Sequence, residues 1–293
     1  MLYDVTHRTT YRYRSDVSVS HHLAHLHPRG LASQEVSDFK LTVEPLPTVN
    51  TERADFYGNP TTFFTISNPH DRLVVTARSR VRVTAPTLPA RSLPWEQVRD
   101  RCASDRFTPD SEVGEFRFDS PSIVRRPALA DYAAPSFSPG RPLLDAVVDF
   151  NARIFRDFKF DSRATTVATP VDEVFKKRRG VCQDFAHFAI ACLRSLGLPA
   201  RYVSGYLETV PPPGKARLIG ADASHAWFSV WCPDHDWVDA DPTNNVLPGD
   251  RHITVAWGRD YSDVSPLRGV VVGGGGHGLG VSVDVARVAP PAV

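Results

Sequence analysis

The chain has 293 residues, enough for one large domain or two ordinary ones whose core needs no disulfide staples. Apolar residues make up 42% and charged residues 23%, which excludes a disordered chain. A net charge of +1 excludes a global field that would recruit nucleic acid or an anionic membrane. The start, Met1 to His7, shows no basic stretch followed by an apolar run, and no later run approaches a bilayer span. The expected address is therefore cytoplasmic. Cys102, Cys182, Cys192 and Cys232 form no C-x-x-C pair, which disfavours zinc knuckles and leaves reduced thiols, each a candidate nucleophile.

From Tyr3 the side chains alternate, with Tyr3, Val5, His7, Thr9, Tyr11 and Tyr13 on one face and Asp4, Thr6, Arg8, Thr10, Arg12 and Arg14 on the other. That is a strand with one wet face. Alternation recurs at Phe39, Leu41 and Val43, at Thr62, Phe64 and Ile66, and from Leu73 to Val83, with a turn signal at Tyr57 to Pro60. Residues 1–85 thus read as an antiparallel β-sandwich. Prolines at 86, 89, 94, 109, 121, 127, 135 and 139 break residues 86–140 into a connector with short helices.

Leu143, Val147, Phe150 and Ile154 stand at helical spacing and open a second unit, residues 141–265. Two helix candidates follow between Thr169 and Leu196. The second carries Val181, Phe185, Phe188, Ala189, Cys192 and Leu196 on one stripe and stops at Gly197 and Pro199. Strand-like runs follow at Ala200 to Thr209, Ser224 to Cys232 and Trp237 to Asp241, separated by turns at 211–214 and 233–236. The expected fold is α+β: a sandwich, then a helix packed on an antiparallel sheet. In the tail, 266–293, Gly273, Gly275 and Gly278 spell G-x-G-x-x-G. A dinucleotide site needs a strand before that run, a helix after it and an acidic residue about twenty positions on, whereas here a Val-rich strand-like segment ends the chain. The run reads as a flexible loop that could border the active site, before a last strand, and no cofactor is expected.

Cys182 stands at the predicted amino end of the striped helix, where unpaired backbone N–H groups and the positive end of the helix dipole favour a thiolate. A small buried hydrophobe is the plainer role for such a residue. Alternation puts His225, Trp227, Ser229 and Trp231 on one face, and Trp237, Asp239 and Asp241 on one face of the next strand. A hairpin centred on Pro233 sets His225 opposite Asp241; a loop centred one residue later is read as inverting that facing. With the first register, one helix tip and one hairpin can assemble a Cys182–His225–Asp241 triad. Its parts are a nucleophile, a general base and acid, and a carboxylate that fixes the tautomer.

Gly-Val-Cys-Gln-Asp-Phe-Ala-His (180–187), Leu-Gly-Leu-Pro-Ala-Arg-Tyr-Val-Ser-Gly-Tyr (196–206), Ser-His-Ala-Trp (224–227) and Trp-Val-Asp-Ala-Asp-Pro-Thr-Asn (237–244) resemble blocks of the bacterial transglutaminase-like proteins. Tyr3 to Tyr13 and Asp55-Phe-Tyr-Gly-Asn (55–59) resemble the sandwich domain that precedes such cores. The resemblance implies a papain-like core and carries the triad onto Cys182, His225 and Asp241, the Asp-Pro-Thr block favouring Asp241 over Asp239. It implies cysteine-dependent acyl transfer from an amide of a peptide or protein substrate through a thioester. Hydrolysis by a cysteine peptidase or amidase and a non-catalytic interaction module are the alternatives.

The remaining polar residues have plainer expectations. His187 reads as structural, His235 as part of a solvated turn, and Lys176 to Arg179 as a solvated helix end. Gln183 and Asp184 either complete the first helical turn or touch the cleft. On a strand His21, His25 and His27 share a face, with His22 beside them. A metal site there is a minor reading beside a polar strand or a domain interface.

Overall fold

The computed structural model describes residues 1–87, 91–104, 111–209, 224–233 and 235–289. Pro89, Pro109, the 211–214 turn and Asp234 lie outside them. The amino-terminal strands are β1 (Leu2–Ala24), β2 (Gln34–Glu44), β3 (Val49–Ala54), β4 (Pro60–Ile66) and β5 (His70–Val83). The connector holds the helices α1 (Trp95–Ser104), α2 (Ser111–Glu115) and α3 (Pro127–Ala133). Next come α4 (Leu143–Asp157), β6 (Lys159–Phe160), α5 (Val171–Lys177), β7 (Arg179–Gly180) and α6 (Cys182–Ser195). The chain then forms β8 (Ala200–Leu207), β9 (Ser224–Cys232), β10 (Asp236–Ala240), β11 (His252–Gly258), α7 (Tyr261–Val264), β12 (Leu267–Gly273) and β13 (His277–Arg287).

The first sheet is antiparallel and curled, and β1 runs through both of its halves. Its first part pairs with β5 and β13, its second with β4 and β12. The expected alternation is present, with Tyr3, Val5, His7 and Thr9 buried. The glycine run corrects the expectation of a flexible loop. Residues 273–275 have φ of 95°, 80° and 61°, a left-handed path that glycine takes without steric cost. This path bends the chain against residues 14–16 of β1, where the Arg14 N–H donates to Gly274 O at 3.0 Å and the Gly274 N–H to Asp16 O at 3.1 Å. The run therefore joins two strands of this sheet.

The second sheet has the order β10-β9-β8-β11, all antiparallel. Against it lies α6, which is buried from Asp184 to Arg194 on every side rather than along one stripe. The reason is its position, with β8 and β9 on one side and α3 and α5 on the other. Arg194 is buried among these elements as a polar staple. Its guanidinium donates to Ala200 O at 2.9 Å, Phe118 O at 3.0 Å and Arg259 O at 2.7 Å, so that the cation is never left without acceptors.

One apolar core crosses the boundary between the sheets, uniting Tyr3, Val5, Val81, Val83, Val283 and Val285 with Phe150, Phe185, Phe188 and Phe228. The free edge of β11 is closed by two side-chain amides of the amino-terminal half. Gln34 donates to Thr254 O and accepts from the Thr254 N–H, both at 2.8 Å. Asn59 does the same with Trp257, at 2.8 and 2.9 Å. Each amide imitates a strand's hydrogen-bonding pair, satisfying an edge that otherwise invites foreign strands. The 55–59 turn that carries Asn59 is held by Asp55, which accepts from the N–H groups of Tyr57 and Asn59.

The four clustered histidines do not converge. His21 bonds Thr65, His25 bonds Asp55 and Ser265 O, and His22 and His27 stack on Phe64 and Phe39. His25 and His27 lie beyond the end of β1, so the strand geometry that would gather them is absent.

Burial pushes His7, His22 and His187 down from 6.5 to about 4. The unfolded chain binds those protons first, so this contribution is whole above pH 6.5 and is lost as pH falls toward 4. For the two most deeply buried rings, His7 and His187, it amounts to roughly 3 kcal/mol each at most. Urea midpoints should therefore fall steeply between about pH 6.5 and about pH 4. His187→Gln, which keeps an acceptor for the Tyr261 N–H, should flatten that slope; an unchanged slope contradicts the assignment.

Candidate active site

The site begins with the turn that leads into α6. Gly180 is required there because a Cβ at that position would stand 2.5 Å from Asp184 Oδ2. Asp184 thereby folds back and accepts from the Val181 N–H at 2.8 Å and Thr165 Oγ1 at 2.6 Å. This is the helix-closing half of a capping box, and it satisfies one donor that a helix start leaves open. Burial lifts the Asp184 carboxyl above its usual range, while the two hydrogen bonds pull it back. Asp184 therefore closes the first turn. Gln183 reaches out to Val167 O at 3.2 Å. Cys182 is left as the first residue of α6, half-buried, at the positive end of its dipole.

The hairpin register differs from expectation. Asp236 pairs with Cys232 and Asp239 with Ser229, so the pairing is centred one residue beyond Pro233. A shift of one in the centre is a shift of two in register, so the side chains keep their face; the expected inversion does not occur. The consequence is a division of labour between two aspartates. Asp239, opposite Ser229, accepts from Ser229 Oγ and from Trp227 Nε1, the latter at 2.9 Å. Asp241, just past the end of β10, reaches diagonally to His225, whose Nε2 donates to Oδ2 at 2.7 Å.

Asp241 is fully buried and surrounded by donors. Oδ1 accepts from the backbone N–H groups of Thr243 at 2.9 Å and Asn244 at 3.3 Å. Oδ2 accepts from His225 Nε2, from Asn244 Nδ2 at 2.7 Å and from His252 Nε2 at 3.1 Å. Burial alone would raise this carboxyl, but the bonds from His225, His252 and Asn244 outweigh it and hold it far below the ordinary range. For His225, burial works to lower the imidazole, and the bonds to Asp241 and Cys182 overcome that and raise it. His225 is therefore held as an imidazolium between a fixed carboxylate and the sulfur. Because Nε2 is taken by Asp241, Nδ1 is the nitrogen left for Cys182.

The structure thus brings Cys182, His225 and Asp241 together and keeps the other candidates apart. His187 accepts the Tyr261 N–H at 3.1 Å inside the core, and His235 meets Arg91 O at 3.1 Å on the surface. Sequence reasoning did not single out Asn244 or His252. Asn244 ends the Trp-Val-Asp-Ala-Asp-Pro-Thr-Asn stretch, and His252 stands at the head of the mostly apolar run Ile253, Thr254, Val255 and Ala256. Among the described residues, one group could hold a metal ion: His225, Asp241 and His252, with donor atoms within 4.8 Å of one another. Two of its separations, 2.7 and 3.1 Å, are already those of imidazole-to-carboxylate hydrogen bonds.

The model of the bacterial transglutaminase-like N-terminal region matches residues 3–82, and that of the transglutaminase-like superfamily matches residues 130–242. An uncharacterized protein of Mycobacterium tuberculosis, Rv2569c, is 44% identical over 293 residues, covering 97% of this chain and 92% of the relative. The chain belongs to the bacterial transglutaminase-like family. A protein-glutamine gamma-glutamyltransferase of Pseudomonas aeruginosa is 32% identical over 126 residues, 42% of this chain and 19% of that enzyme. The fold is that of a provisionally named cysteine protease from Cytophaga hutchinsonii, with a TM-score of 0.75 at 20% identity, covering 100% of this chain and 92% of that one. The transglutaminase-like match takes in α6 and the β9–β10 hairpin and stops at Pro242, so His252 on β11 lies beyond it.

Proposed function

We propose that this transglutaminase-like protein is a cysteine enzyme that transfers the acyl group of a peptide or protein amide through a thioester on Cys182. The observation that carries the reading is the His225 imidazole, fixed by a buried carboxylate on one side and hydrogen-bonded to the Cys182 thiol on the other. Sγ of Cys182 attacks the amide carbon as the thiolate, its proton already held on Nδ1 of His225, and a C–S bond forms. The carbonyl oxygen takes the negative charge, stabilised by backbone N–H groups at the start of α6, including that of Cys182. Nδ1 of His225 gives its proton to the nitrogen as the C–N bond breaks, releasing ammonia or an amine. Water or a primary amine then attacks the thioester, losing its proton to His225, and the sulfur leaves as thiolate.

Transamidation is the reading favoured here, supported by the family and by the stretch shared with the Pseudomonas gamma-glutamyltransferase. The test is a panel of glutamine-containing peptides with and without a primary amine, followed by mass spectrometry. Amine incorporation with release of ammonia is expected. Ammonia release or chain cleavage that ignores the amine would make the protein an amidase or peptidase. No mass change on any peptide, together with an unreactive Cys182, would overturn the enzymatic reading and leave an interaction module.

A further inference from the structure

We propose that His252 is a positioning residue for the His225–Asp241 pair, a role that rests on the acyl-transfer reading above. His252 opens β11, the strand farthest from β10 in the sheet, and it is 8% exposed. Its Nε2 lies 3.1 Å from Asp241 Oδ2, the same oxygen that accepts from His225 Nε2 at 2.7 Å. Two imidazoles from the second and the last strand of the sheet thus converge on one carboxylate oxygen, their ring centroids 6.1 Å apart. The His252 ring stands edge-on against Trp227, with centroids 5.3 Å apart and planes at 83°, which fixes its approach.

The hydrogen on this ring can be assigned from its partners. An ionised carboxylate only accepts, so Nε2 of His252 carries the proton in this contact. Nδ1 is buried with no partner among the described residues. A bare lone pair there is tolerated far better than an unpaired N–H, so the network assigns the neutral Nε2–H tautomer. A neutral donor holds the carboxylate without cancelling its charge. His252 therefore occupies one direction around Oδ2 and leaves the negative charge of Asp241 for His225.

The arrangement also explains why the pair needs a third support. Asp241 lies past the end of β10, and its backbone is held by an antiparallel bridge to Val246 and by Asn151 Nδ2 donating to its carbonyl at 3.2 Å, contacts that do not reach the carboxylate. Asn244 and the 243–244 N–H groups belong to the same turn as Asp241 and move with it. Besides His225 itself, His252 is the residue among those described that ties Oδ2 to another strand, one anchored in turn by Gln34 through Thr254. Removing it frees the carboxylate to rotate away from the line to His225, and the imidazole loses its aim at sulfur.

The test compares His252→Phe, which keeps a flat ring against Trp227 but no donor, with His252→Gln, whose amide nitrogen reaches the position of Nε2. The readout is the rate of Cys182 carbamidomethylation at about pH 6, where an ordinary thiol is almost wholly protonated. Thermal midpoints are measured alongside. His252→Phe should slow alkylation by roughly tenfold or more, and His252→Gln should restore it to within about threefold of wild type at a similar midpoint. A fast wild type matched by His252→Phe overturns the role of His252 alone. A wild type no faster than a small free thiol overturns the acyl-transfer reading and this role with it. Should the phenylalanine variant not fold, imidazole ¹⁵N NMR of the wild type decides. An Nε2–H tautomer for His252 supports the role, and an Nδ1–H tautomer overturns it.

Discussion

Iodoacetamide should label Cys182 ahead of the other three thiols at neutral pH, by roughly tenfold or more over Cys102 and with no reaction at Cys192 or Cys232 in the folded protein. The last two are fully buried and inaccessible, and burial pushes the Cys192 thiol well above its usual range. Cys102 is half-buried on α1 among the connector helices. Only Cys182 combines partial exposure, a helix amino terminus and a hydrogen-bonded imidazolium. Cys182→Ala should accordingly reduce acyl transfer to background while leaving the unfolding midpoint within a degree or two, since the side chain is short and half-exposed. Peptide mapping of the alkylated protein checks the first outcome. Equal labelling of all four cysteines would sink the reading.

Asp241→Asn should cost about 10³ to 10⁴ in kcat with little change in KM. The change keeps the volume but removes the charge that holds the imidazolium and one of the lone pairs on which His225, His252 and Asn244 converge. An asparagine amide can also present its N–H toward His225 Nε2, which favours the wrong tautomer. Asp239→Asn is the matched control. Asp239 serves Trp227 and Ser229, so its loss should be felt mainly as stability, with less than about tenfold effect on kcat. Reversal of the two effects would reassign the carboxylate. The pH dependence has a definite sign. The raised imidazole contributes stability that is whole below pH 6.5 and fades as pH rises through its folded value. The depressed carboxyl contributes stability that is whole above pH 3.8 and is lost in acid. Between those limits Asp241→Asn should lower the thermal midpoint most.

Much of the site was legible in the residues because the signals were local. Period-two alternation marks β1 and β9, and the stop at Gly197 and Pro199 marks the end of α6. The position of Cys182 at a helix start follows from the chemistry of its flanks. Alternation also keeps His225, Asp239 and Asp241 on one side of a hairpin whichever of the two centres is adopted. These properties depend on neighbours a few residues away, and a single sequence carries them in full.

Other features depended on distances through space that no local pattern encodes. The choice between Asp239 and Asp241 turned on a register set by the loop length, which placed one aspartate under Trp227 and the other under His225. The glycine run became a junction in the first sheet because β1 is long enough to pair with both β12 and β13, a partnership spanning nearly the whole chain. His252 reached Asp241 only because β11 closes the second sheet and Gln34 and Asn59 clasp its edge. Composition and alternation thus determined the strands, the buried helix and the candidate side chains. Packing between distant segments decided which carboxylate meets the imidazole, because side-chain convergence follows from how the sheets close on each other.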